Sequence, residues 1–128
     1  MMSTMTDNSP FMFSESPSAR LAGGPVYCLG RAGMDLYPEP AGVITEEAEQ
    51  VRADMGGSAA NIAVALSRQG GRAALLTVFS DDQVGRFVIR KCAGYGVDTN
   101  SCRTQPGLCR NSLAIAETKP ANAAVVIY

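Results

Sequence analysis

Met55-Gly56-Gly57-Ser58-Ala59-Ala60-Asn61-Ile62-Ala63-Val64-Ala65-Leu66 sets two glycines directly before a run of helix-forming residues that holds a single side-chain amide. Glycine lets the backbone approach another group closely, and the first amides of a helix are unpaired donors backed by partial positive charge. Ser58 stands where an N-cap belongs and Gly70-Gly71 where a helix stops, so the spacing predicts a helix over 58–69. Its residues are apolar nearly all round, which predicts burial, with Asn61 as a buried-side amide.

Upstream, Val26-Tyr27-Cys28-Leu29-Gly30 is a short apolar run closed by glycine, as in a strand buried on both faces, and it is expected to deliver Asp35 to its carboxyl end. Pro38-Glu39-Pro40-Ala41-Gly42 is a breaker cluster. The polar, charge-rich stretch 43–54 then predicts an exposed strand or loop excursion, a flap. Downstream, Ala73 to Phe79 predicts a strand, and Ser80-Asp81-Asp82 caps a second helix with Val84, Phe87, Val88, Cys92 and Tyr95 on one face. Strand, helix, strand, helix at this spacing predicts an α/β fold with crossover connections and a parallel sheet. The alternation then breaks into a β-hairpin, 113–117 and 123–128 around a turn at 119–122. The sequence stops within that apolar strand, from which a truncated domain is expected.

The 128 residues include 46% hydrophobic and 18% charged side chains with a net charge of −1. That balance gives no electrostatic reason to expect nucleic acid or an anionic membrane as partner, and no run reaches the roughly 18 apolar residues of a membrane span. The leader has no charged n-region followed by an apolar core, so residues 1–24 read as a disordered tail and the protein as cytoplasmic. Histidine is absent, and Cys28, Cys92, Cys102 and Cys109 form no CxxC pair, which argues against structural zinc and removes Ser-His and Cys-His nucleophiles. Free thiols are expected in this compartment; a Cys102–Cys109 disulfide across Pro106-Gly107 is the alternative.

A diglycine before a helix suggests phosphate, yet neither G-x-x-x-x-G-K-S/T nor a G-x-G-x-x-G after the first strand is present. The Asn61 amide, a donor and an acceptor together, suits vicinal hydroxyls, and Asp35 would accept hydroxyl protons. Each feature taken singly also reads as a turn or a cap; their pairing points to a polyol site. Asp81 and Asp82 read as helix caps before they read as a metal or acid-base pair. Arg31 and Arg110 are candidates for a substrate carboxylate, with solvation as the ordinary alternative.

Gly30-x-x-Gly33-x-Asp35, then Gly56-Gly57-x-Ala59-x-Asn61-x-Ala63, then Gly70 before a strand and Asp81-Asp82-x-x-Gly85 before a helix form a series that resembles the N-terminal half of the ribokinase-like (PfkB) carbohydrate kinases, over about residues 26–128. Within that family, Gly30 to Pro38 and Ser112 to Glu117 look most like a sugar-acid kinase of inositol catabolism. The resemblance implies a ribokinase-like α/β sandwich with a mostly parallel central sheet and a small β-lid. It implies ATP as phosphoryl donor, Mg2+ as helper, and a sugar or sugar acid held between lid and core. On that pattern Asp35, Gly56, Gly57 and Asn61 bind the substrate, the excursion 43–54 and the final hairpin are lid strands, and residues 25–128 are the first part of an incomplete kinase domain.

Two departures from the pattern stand out. Gly33 replaces an asparagine that many relatives carry, removing a hydroxyl contact, and Ser80 replaces a glycine, which is expected to change only a turn. The family's G-A-G-D motif, with its catalytic base and anion hole, has no counterpart here, nor has the ATP pocket, so this chain alone is expected to be inactive and no catalytic residue is assigned. The resemblance also implies a homodimer through the lid. Other readings are a different sugar kinase of the family, a non-catalytic sugar-binding or lid-dimerisation module, and a dinucleotide-binding oxidoreductase domain.

Overall fold

The computed structural model describes residues 23–107, 110–118 and 125–127. The expected tail therefore lies outside the described residues up to position 22, as do Cys109 and the turn at 119–122. Strand β1 (Val26–Leu29) runs parallel to β4 (Ala73–Leu76), with Val26 opposite Ala73 and Leu29 opposite Leu76. Between them the chain inserts β2 (Gly33–Glu39), a 3-10 turn (Thr45–Glu47), β3 (Gln50–Gly56) and α1 (Ser58–Arg68). After β4 come β5 (Val78–Ser80), α2 (Gln83–Gly94), β6 (Arg103–Gln105), β7 (Leu113–Ala116) and β8 (Val125–Ile127).

The expected α/β plan holds, since β1 to β4 and β5 to β6 are parallel pairs joined across helices. Ala74 and Asp98 make a further parallel bridge, with Leu75 N–H donating to Asp98 O and Asp98 N–H to Ala73 O, each 2.8 Å. The single strand expected over 73–79 is broken at Thr77. β1 ends opposite Leu76, and from Val78 the chain pairs with β6 instead, so the apolar run changes partner in mid-course. Phe79, Leu75, Val88 and Cys92 are the large, fully buried side chains where these strands meet α2. The face expected on α2 is the one observed: Val88 and Cys92 are buried and Val84, Phe87 and Tyr95 half-buried.

The lid is a four-stranded sheet in the order β3-β2-β7-β8. β2 and β3 are antiparallel from Gly33–Gly56 to Glu39–Gln50; β7 lies parallel to β2 and antiparallel to β8. The excursion and the final hairpin thus do supply lid strands, and β2 joins them. Asp35 corrects the sequence reading: it sits inside β2, not at the end of β1, because Gly30 (φ 145°) ends β1 and the chain becomes extended again at Gly33. Pro38 does not break β2. The β2–β7 pairing ends at Leu36–Ile115, so on that side the N–H that Pro38 lacks is not needed by the sheet.

Two burial expectations also fail. β1 is covered on one face only: Cys28 is buried while Tyr27 is 59% and Leu29 81% exposed, because α1 packs on a single side. Nor is α1 buried all round. Ala59, Ala60 and Ala63 form a stripe of small residues that lets the helix lie close to the strands, and Asn61, Ile62 and Ala65 face outward. The N-cap is Gly57 (φ 101°) with no side-chain cap, and Ser58 is already helical. At the other end Gly70 (φ 83°) closes the helix as expected, its N–H donating to Ser67 O and that of Gly71 to Leu66 O.

Candidate functional site

The β2–β3 register determines what surrounds Asp35. It lies opposite Asp54, and Gly56 is two residues further along β3 on the same face, opposite Gly33. A Cβ at Gly56 would collide with the Asp35 carboxylate, so the bare backbone of Gly56 is the seat of that group. Gly57 has a different task. Its positive φ turns β3 into α1, and a Cβ there would strike the Arg31 carbonyl. The diglycine therefore positions one carboxylate and brings the start of α1 beside it.

Asn61 follows one turn later, its N–H donating to Gly57 O at 2.9 Å. Its side chain is exposed rather than buried, because the helix turns its alanine stripe to the strands. It lines a shallow cleft with Asp54, Met55, Val64, Arg68 and Tyr95. Among the described residues its amide makes no hydrogen bond to Asp35. The fold thus joins Asp35, Gly56 and Gly57 directly and sets Asn61 at their edge. Arg31 is exposed, and Arg110 is turned to Asp82 Oδ2 at 3.4 Å.

Three side chains that sequence reasoning gave no role also belong to this face. Tyr37, two residues after Asp35, donates its hydroxyl to Asp35 Oδ2 at 3.3 Å. Burial first, and then the Asp35 charge, push the Tyr37 phenol above its ordinary value, so it remains a protonated donor. Arg52, opposite Tyr37, stacks its guanidinium 4.7 Å from the ring centroid and pairs with Glu39 at 3.1 Å and Asp54 at 3.5 Å. Asp54 also takes Lys91 at 3.5 Å and the Tyr95 hydroxyl at 3.4 Å, which ties the lid to α2. The period of two along β2 (35, 37, 39) and β3 (52, 54, 56) was the available signal.

The lid is fastened to the core at Ser80, which does more than change a turn. This fully buried residue accepts the Asn111 N–H at its hydroxyl (3.3 Å), donates that hydroxyl to Asp82 Oδ1 (2.8 Å), and donates its backbone N–H to Asn111 Oδ1 (2.6 Å). Asn111 in turn donates through Nδ2 to Ala32 O at 3.0 Å, and Asp82 Oδ1 accepts Gly85 N–H as the N-cap of α2. One buried hydroxyl thereby joins the start of α2, the entry to β7 and the turn before β2. Cys92 is sealed in the core, its thiol pushed up to about 11 by burial, and Cys102 is a free thiol donating to Leu75 O at 3.1 Å. Neither has the exposed, electropositive setting of a reactive cysteine.

Among the described residues no group of three or more acidic, cysteine or histidine side chains converges as a metal site. The uncapped start of α1 is the anion-friendly backbone near Asp35, but that carboxylate beside it disfavours a phosphate chain there. These residues do not fit a nucleotide site.

The Asp35 carboxylate, seated on Gly56, lies in the β2–β3 ribbon of the four-stranded sheet, beside the turn into α1. The profile of the pfkB family carbohydrate kinases matches residues 25–128, and the chain belongs to that family. It is similar to the 5-dehydro-2-deoxygluconokinase of Photobacterium profundum, 37% identical over 100 residues, which are 78% of this chain and 30% of that protein. Among solved structures it resembles a putative ribokinase from Agrobacterium tumefaciens (27% identity, TM-score 0.69, 80% of this chain and 35% of that one). It also resembles an uncharacterized sugar kinase from Pyrococcus horikoshii in complex with ATP (22% identity, TM-score 0.71, 80% and 33%), a likeness of fold. The chain spans about 30% of the length of the curated relatives it matches.

Proposed function

We propose that this chain is the sugar-gripping front part of an ATP-dependent carbohydrate kinase that phosphorylates 5-dehydro-2-deoxy-D-gluconate, a sugar acid of inositol catabolism. The observation that carries the reading is the Asp35 carboxylate seated on Gly56 beside the uncapped start of α1. A carboxylate accepts hydroxyl protons, backbone amides donate to hydroxyl oxygens, and an exposed Asn61 amide one turn away offers both. The name of the Photobacterium relative supports the particular acid. ATP, Mg2+ and the catalytic base are assigned to the portion of the relatives' length beyond this chain, so the 128 residues alone are expected to bind sugar weakly and to turn over none.

The test is a panel of sugars and sugar acids, including 2-keto-3-deoxygluconate, fructose and ribose, titrated against protein expressed from the complete reading frame. Asp35→Ala is expected to weaken binding of the preferred sugar at least about tenfold, as loss of a charge-assisted hydrogen bond does, with ATP affinity unchanged. Asn61→Ala is expected to do the same to a smaller degree. Unchanged sugar binding with Asp35→Ala would falsify the site; preference for another sugar would replace the substrate. A dimer through the lid is favoured by the exposed outer edge of β3, whose Val51 is solvent-facing. Light scattering on the same protein decides it, and a monomer sinks it.

A further inference from the structure

We infer that Tyr37 is a positioning residue of the sugar site, its phenol turning the Asp35 carboxylate to meet sugar hydroxyls while Arg52 holds the phenol ring in place. The inference rests on the proposal that Asp35 is a sugar ligand. The terminal torsion of an aspartate is broad and roughly twofold, so a carboxylate on a strand is not oriented by its own backbone. Something outside the residue must select which oxygen faces the ligand. Gly56 supplies room but no donor. Tyr37 is the neighbouring side chain on the same face of β2 and donates to Oδ2 at 3.3 Å.

The contact is longer than the roughly 2.7 Å of a tight hydroxyl bond. It therefore steers the carboxylate without sequestering it. Among the described residues Oδ1 accepts no hydrogen bond, which leaves it to face a hydroxyl. Tyr37 is fixed in turn. Arg52, its cross-strand partner, lies 4.7 Å from the ring centroid, and its guanidinium is held by Glu39 Oε1 at 3.1 Å and Asp54 Oδ2 at 3.5 Å. Two carboxylates other than Asp35 thus compensate the Arg52 charge, which casts it as support for the ring and not as a ligand for the substrate. All five side chains alternate along one face of the β2–β3 ribbon, so an orientation set at the outer end of the lid is transmitted to the carboxylate at its base.

The experiment is a double-mutant cycle in protein from the complete reading frame, comparing Tyr37→Phe, Asp35→Ala and the pair by sugar titration and steady-state kinetics. Tyr37→Phe keeps the ring and removes the hydroxyl. It is expected to raise the sugar KM by about three- to tenfold while the ATP KM and Tm stay unchanged. In the Asp35→Ala background the same substitution is expected to add less than about 1.5-fold, since no carboxylate remains to be oriented. Asp35→Ser serves the same purpose if the alanine variant does not fold. An equal effect of Tyr37→Phe in both backgrounds means that the phenol contacts sugar on its own account, and no effect in either means that it orients nothing; both overturn the inference. Unchanged sugar binding with Asp35→Ala overturns instead the sugar-site proposal beneath it, so the two failures are told apart.

Discussion

Gly56→Ala inserts a methyl group where the Asp35 carboxylate sits. Overpacking of this kind typically costs about 1–3 kcal/mol, and here it also displaces the group proposed to grip sugar. The expected outcome is a lower urea midpoint together with weakened sugar binding. Asp35→Ala placed on top should restore much of the stability and none of the binding, as equilibrium unfolding and sugar titration on the same samples would report. The diglycine and Asp35 were legible in the sequence because glycines before a helix and an isolated carboxylate are unusual locally. Their opposition was not. Which residue faces Asp35 is decided by the length of the chain between Glu39 and Gln50, a register that no local pattern encodes.

At the scale of elements, attachment of the lid depends on Asn111. Its amide takes the Ser80 N–H and reaches Ala32 O, so Asn111→Ala leaves a buried donor and acceptor without partners, a loss of about 1–3 kcal/mol. Hydrogen exchange should show β7 and β2 opening together, before α2. Two carboxylates make the joint at Ser80, and a separate contact between the residue after β7 and the 3-10 turn, sensitive to acid. Asp82 is held below its ordinary value first by the Gly85 N–H and then by the Ser80 hydroxyl, and Glu117 by the Thr45 backbone and side chain. A depressed folded pKa contributes stability that is present above the unfolded value and lost as pH falls through the folded one. The urea midpoint should therefore decline as pH falls below the ordinary values of 4.5 for Glu117 and 3.8 for Asp82, and Asp82→Asn combined with Glu117→Gln should flatten the decline. The helices and their stop signals were legible in the sequence, since period and terminal glycines are local, although Ser58 is the first helical residue and not the cap expected. Misjudged were the neighbours: Asn61 and Ile62 looked buried because α1 is apolar in composition, although only its alanine stripe meets the strands.

Across the whole molecule, the parallel core shows one open face. Leu29 and Tyr27 project from β1 into solvent, with Val78 exposed on β5. The 128-residue chain is expected to bind a hydrophobic dye and to self-associate as its concentration rises. Leu29→Lys should reduce both with Tm nearly unchanged, because an exposed side chain changes stability by about 0.5 kcal/mol or less; dye fluorescence and light scattering would check it. The α/β plan was legible in the alternation of elements. The break at Thr77 was invisible, since it reflects where β1 ends and β6 begins, not anything in Ala73 to Phe79 themselves.

The bond from Asn111 to Ala32 spans 79 positions. A ribosome adding about 5–20 residues per second delivers Asn111 some 4–16 s after Ala32, and β7 later still. From the completion of β3 at Gly56 until β7 arrives, the nascent β2–β3 hairpin presents the strand edge that β7 will cover, with Pro38 and the charges of Asp35 and Glu39 to discourage pairing with a neighbouring chain. Synthesis rate is thus built into the risk of misassembly: slow codons between β3 and β7 would lengthen the exposure of the same ribbon that later frames Asp35.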